Sequence, residues 1–141
     1  MPTDAQNIIA YLKNTLTDPS GRGYPTIKGL HWIYVSKPNF EFSSVGYPII
    51  YTSLSNDSNI EKRMNGWVDK HLYSINVFST KISDIDNLKT QLITTFKNIT
   101  QSDIPGLYDF KIESTPVTEN VIEDLDVYQL IFNISFRSYE I

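Results

Sequence analysis

Glu123, Asp124 and Asp126 form a small acidic cluster ahead of the last hydrophobic run. Carboxylates this close can hold a metal or divide acid and base roles, but either task needs convergent partners, and no His-rich or basic counterpart lies nearby in sequence. They read instead as a solvated turn or as charge offered to a neighbouring subunit. Asp84 and Asp86 start like a calcium loop, yet Leu88 occupies the third ligand position and the required glycine is missing. In the first turn of a helix the same carboxylates suit its dipole. Gly21-Arg-Gly23 suggests a phosphate loop, but a helix precedes it and Tyr24-Pro25 follows, so it reads as a helix-ending turn. His31 and His71 sit in strand-like contexts, and two imidazoles rarely suffice for a metal. No serine lies in a Gly-X-Ser-X-Gly context. The residues therefore indicate neither catalysis nor a cofactor, and the expectation is a non-enzymatic protein.

Composition narrows the class. With 141 residues, 40% hydrophobic and 20% charged, the chain can bury a real core and is expected to form one domain, residues 1–141. The absence of cysteine excludes disulfides, thiol catalysis and zinc–thiolate sites. A net charge of −4 argues against a broad grip on nucleic-acid phosphates, which needs clustered cations. The first residues, Met-Pro-Thr-Asp-Ala-Gln, carry neither a basic region nor an apolar run, so the protein is expected to stay where it is made. The Asn-X-Ser/Thr sequons at Asn56, Asn98 and Asn133 read as chance matches in an Asn- and Ser-rich chain.

Periodicity supplies the elements. Ala5, Ile8, Ile9, Leu12 and Leu16 make one helical stripe, N-capped by Thr3 or Asp4 and ended by Asp18-Pro-Ser-Gly21. A short strand is expected over 31–35 and a second over 47–52. The polar run 53–66 reads as a long loop, functional or mobile at that length. A third strand spans 67–79, with Tyr73, Ile75 and Val77 facing one way and Lys70, Ser74 and Asn76 the other. Ser83-Asp-Ile-Asp86 reads as a capping box for a helix whose stripe is Ile85, Leu88, Leu92, Phe96 and Ile99, with Pro105-Gly106 closing it off. A fourth strand over 107–112 and a polar turn over 113–120 lead to a long final strand. There Tyr128, Leu130, Phe132, Ile134 and Phe136 alternate with Gln129, Ile131, Asn133, Ser135 and Arg137.

The predicted architecture is α+β: a two-layer sandwich in the order α-β-β-β-α-β-β, with both helices covering one face of a mostly antiparallel sheet. The second face, carrying Lys70, Ser74, Asn76, Gln129, Asn133 and Arg137, is expected to be wet or to meet another subunit. Tyr73, Tyr128, Phe132 and Phe136 read as core. Trp32, Phe40, Phe42 and Tyr47 flank a connection, where unburied rings mark an interface. Glu61-Lys62-Arg63 is the densest basic spot, read as a solvated loop or as a contact with DNA or an acidic neighbour.

In this order of parts the chain resembles the tail terminator, or tail-completion, proteins of long-tailed bacteriophages. The likeness lies in the N-terminal helix, the Tyr47-Pro-Ile-Ile-Tyr51 strand, the extended polar segment and the 67–79 strand. It continues through the 85–99 helix, the Ile122-Glu-Asp-Leu-Asp126 turn and the Tyr128-X-Leu-X-Phe-X-Ile-X-Phe136 strand. The resemblance implies a virion protein without cofactor or catalysis, forming a ring, typically a hexamer, that caps the tail tube and joins it to the head connector. DNA would pass through the lumen unread. Self-assembly would use Phe40, Phe42 and Tyr47 on one side and Glu61, Lys62 and Arg63 on the other, because ring closure joins unlike patches. Lys70, Asn76, Gln129, Asn133 and Arg137 would face the lumen. Two other readings stay open: another phage neck or baseplate adaptor, and a small α+β ligand- or partner-binding module.

Overall fold

The computed structural model describes residues 4–21, 31–39, 42, 46–63, 66–100 and 102–140, with the side chains at 4–5, 54–63, 66–71 and 138–140 outside that description. Helix α1, Asp4–Thr15, buries Ile8, Ile9 and Leu12, the stripe its spacing demands, and Leu16 just beyond its end. The expected cap Thr3 and the side chain of Ala5 lie outside the described residues. The stop is built by Asp18: its Oδ1 accepts from Ser20 N at 3.0 Å and its carbonyl accepts from Gly21 N at 3.0 Å. Gly21 takes a φ of 70°, which a side chain would strain, so this glycine turns the chain, while Arg22 and Gly23 lie outside the described residues.

Helix α2, Ile82–Lys97, buries Ile85, Leu88, Leu92 and Phe96. Its start differs from the expected capping box. The N-cap is Lys81, with no side-chain cap, because Ser79 already organises this end. The buried Ser79 hydroxyl accepts from Lys81 N at 3.2 Å and donates to Asp84 Oδ2 at 2.9 Å. Asp84 still places a carboxylate in the first turn, where the dipole favours it. The helix ends at Asn98, before Ile99 and well before Pro105-Gly106, which instead turn the chain into the next strand. Gln91 bonds both backbone groups of Thr17, at 2.8 and 2.9 Å, tying the end of α1 to the middle of α2.

Six strands form one mixed sheet: β1 Ile33–Tyr34, β2 Ile49–Arg63, β3 Gly66–Ser79, β4 Leu107–Ser114, β5 Thr118–Ile122 and β6 Leu125–Glu140. Their order is β1-β2-β3-β6-β4, with β5 also paired to β6. Only β1 with β2 is parallel among these pairings. The element order is thus α-β-β-β-α-β-β-β, one strand more than expected.

Two expected loops are strands. The run 53–66 is not a loop: β2 continues to Arg63 and pairs back through β3 until Arg63 opposes Gly66. Ladder bonds are made by the backbone, so a polar Ser- and Asn-rich run can pair without the hydrophobic alternation that betrays a half-buried strand. The pairing is irregular at Leu54/Asn56 and Asn56/Asn59, where bulges re-aim a hairpin. The expected turn over 113–120 holds instead the end of β4 and most of β5. At its middle Thr115 N and Oγ1 donate to the Ile131 carbonyl, at 2.9 and 3.1 Å, which satisfies β6 between its two partners. Glu123 and Asp124, with φ of 51° and 64°, form the two-residue turn joining β5 to β6.

One apolar cluster combines the helix residues with Ile33, Ile50, Ile75, Val77, Leu107, Leu130, Phe132, Ile134 and Phe136 from the sheet. Trp32, expected at an interface, belongs to this cluster at 1% exposure. Tyr73 and Tyr128 pack against it as expected. Because Leu92 and Phe132 are fully buried, truncation of either to alanine should cost about 2–5 kcal/mol by urea denaturation. Losses under about 0.5 kcal/mol at both would show that they do not face this core.

Candidate functional site

Strand parity separates the two faces of the sheet. Ile75 and Val77 enter the main cluster, so Ser74, Asn76 and Phe78 take the other face. On β6, Val127, Gln129, Asn133 and Arg137 share it by the same rule. This second face is not polar throughout. One end carries a separate cluster of Phe42, Ile49, Phe78 and Val127, with Tyr34, Tyr47, Tyr51 and Ile122 packed against it. The sequence contained the signal: Phe78 falls in register with Ser74 and Asn76, an apolar residue on an otherwise polar row.

Phe42 closes that cluster. Its ring lies 5.6 Å from Phe78, 6.4 Å from Tyr51 and 6.2 Å from Tyr47, the last edge-on. Tyr51 and Phe78 stack at 5.5 Å and 16° as cross-strand neighbours. The expectation of an unburied ring at Phe42 is therefore overturned: it is 5% exposed within its own chain. Phe40 lies outside the described residues, and Tyr47 is half-buried. The clamp holding Phe42 comes from the acidic cluster, as Glu123 Oε2 accepts from Phe42 N at 2.8 Å. A carboxylate accepting a backbone N–H is among the stronger hydrogen bonds a surface can offer. The positive φ at Glu123, set by the β5–β6 turn, places that carboxylate.

Beside Phe42 opens a cleft of about 340 Å³. Phe42, Tyr51, Phe78 and Ile122 form its apolar floor, with Lys37, Asn39 and Glu123 around them. Leu125, directly opposite Ile122 and 45% exposed, extends the apolar surface past the turn. Asp124 stands exposed at the tip of that turn, while Asp126 opposes Val121 further along the hairpin.

The polar part of the face is hydrogen-bonded within itself. Ser74 Oγ donates to Asn133 Oδ1 at 3.1 Å. Asn76 is buried, and its amide donates to Ser53 Oγ at 3.3 Å and to the Tyr51 carbonyl at 3.4 Å, so it braces β2 against β3. Gln129 Oε1 accepts from Asn120 Nδ2 at 2.8 Å. Asn133 is exposed. Arg137 pairs with Asp109 at 3.2 Å across the bulge in β4, where Asp109 takes a φ of 58°. Lys70 holds the register position opposite Arg137, and its side chain, like those of Glu61, Lys62, Arg63 and His71, lies outside the description. His31 Nδ1 accepts from Trp32 N and Ile33 N at 2.9 and 3.2 Å, a structural role. Among the described residues no group of three or more His, Asp and Glu side chains gathers to hold a metal, and no helix is long and apolar enough to cross a membrane.

Burial raises the pKa of Tyr51 above its ordinary 10.0. Burial chiefly, and then the charge of Glu123, raises that of Tyr47, whose hydroxyl finds no hydrogen-bond partner among the described residues. Above pH 10 the unfolded chain then releases these protons first while the folded chain retains them, so stability falls as pH rises toward the folded values. Titration followed by tyrosinate absorbance should show a late-ionising fraction. Tyr51→Phe should flatten the alkaline fall in stability, and an unchanged slope would remove Tyr51 as its source. Compared with models of known protein families and with characterised proteins, the chain matches neither.

Proposed function

We propose that this chain is a structural, non-enzymatic subunit of a long-tailed bacteriophage: a tail terminator or tail-completion protein. It closes into a ring on the tail tube, joins the tube to the head connector and resides in the virion. The architecture is read as a two-layer sandwich with both helices on one face of the sheet, supported by the single cluster that unites α1, α2 and alternate sheet residues. The observation that carries the functional reading is the outer edge of β2. The two-residue β1 covers only Ile50 and Tyr51, and the Thr52 hydroxyl donates to the Val35 carbonyl. Beyond that point, through Arg63, no described strand pairs with this side of β2. A long open edge is a template for another chain, and proteins that do not use one usually shorten or cover it.

The partly wet second face supports the same reading. Gln129, Asn133 and Arg137, with Lys70 beside them in register, suit a wall of a water-filled lumen, whereas Asn76 is committed to bracing β2. Arg137 on that wall is already paired with Asp109, and the chain as a whole carries a net charge of −4, both of which disfavour a grip on DNA phosphates. A second reading, a small partner- or ligand-binding module, draws on the aromatic cleft. Light scattering across a concentration series, with negative-stain images of the same sample and of the sample mixed with cognate tail tube protein, separates the two. Closed rings with a central hole are expected. A monomer that stays monomeric at high concentration and on the tube would overturn the terminator reading.

A further inference from the structure

We propose that the cleft floored by Phe42, Tyr51 and Phe78 is the seat for the far end of the β2–β3 hairpin of a neighbouring copy. This inference rests on the ring reading and names its interface. The cleft offers flat aromatic and apolar surface, extended by the exposed Leu125, with Glu123 in its lining and Asp124 beside it. The hairpin end carries Lys62 and Arg63 as the last paired residues of β2. A cation entering an aromatic cleft beside carboxylates gains both ring-face and charge-assisted contacts, and guanidinium does so best. The second charge pair matches as well, because Lys37 lines the cleft and Glu61 immediately precedes the two cations.

The same chain cannot supply both partners. Tyr51 lies in the cleft and Arg63 ends the same continuously described strand; their partners Asn76 and Gly66 on β3 are separated by about 33 Å at the ordinary rise of a strand, so the two patches stand far apart. The seat and the arm are different patches at opposite ends of one sheet. That is the heterologous arrangement which repeats from copy to copy until it closes. Glu123 sets the seat by holding Phe42 in place, and so it is not a residue to alter in testing it.

Two charge variants test the docking. In the arm variant, Lys62→Glu and Arg63→Glu make the hairpin end negative. In the seat variant, Asn39→Lys and Asp124→Asn make the cleft net positive, and asparagine tolerates the positive φ at position 124. Each variant alone, shown folded by far-UV circular dichroism, should assemble about tenfold more weakly or worse by light scattering. An equimolar mixture should recover assembly, because the arm of each variant then meets a seat of opposite charge. Assembly by either pure variant as strong as that of the unaltered protein would overturn the docking and leave the ring standing on other surfaces, the cleft then belonging to another occupant. Failure of the folded mixture to assemble would overturn it equally. An unaltered protein that forms no oligomer, alone or on the tube, would overturn both readings.

Discussion

The pairing of β6 along both of its edges is the constraint on which the other elements depend. On one side it matches β3 from Ser79↔Tyr128 to Trp67↔Glu140 without a register break. On the other it takes β5 and then β4, with Thr115 satisfying Ile131 between them. A slip of one residue would move Leu130, Phe132, Ile134 and Phe136 to the second face and bring Gln129, Asn133 and Arg137 into the hydrocarbon core. The buried helix residues of the main cluster would then lose their apolar neighbours from β6. This strand therefore decides at once where the core lies and which polar residues share the opposite face.

A smaller device decides the shape of that opposite face. The Glu123–Phe42 hydrogen bond joins residues 81 positions apart and seats an aromatic ring on strands that would otherwise end in exposed Phe78 and Val127. Covering that end converts a plain polar face into two regions, an aromatic cleft and a hydrogen-bonded polar row. The division is local in cause. It comes from a two-residue turn that directs one carboxylate, and from a connection long enough to bring Phe42 back over the sheet.

The helices and the core-facing half of each central strand were legible because burial on one face imposes a period that residues must obey. Ile8, Ile9 and Leu12, Ile85 through Phe96, and Leu130 through Phe136 all sit where that period puts them. The arm over 53–63 was not legible by the same rule, since its pairing is carried by backbone groups common to every residue. Asn65-Gly66, a dipeptide favoured at hairpin turns, was the available signal in the sequence. The helix start was misplaced for a related reason. Ser83 has the right spacing for a capping box, but the helix begins one residue earlier, at Ile82, and its first-turn carboxylate Asp84 accepts from Ser79 at the end of β3.

By itself, then, the sequence determined the class of the fold, the helix and central-strand residues of the main core, and the polarity of the row from Ser74 to Arg137. These follow from local periodicity, which is written into neighbouring residues. Tertiary structure alone decided that a polar run becomes half of a long hairpin, that Phe42 and Trp32 are buried within the chain, and that a turn carboxylate shapes a cleft. Each of those outcomes depends on groups far apart in the chain meeting in space: Arg63 with Gly66 through a complete ladder, Trp32 with the helix core, Glu123 with Phe42. No spacing within one segment encodes a partner 81 residues away.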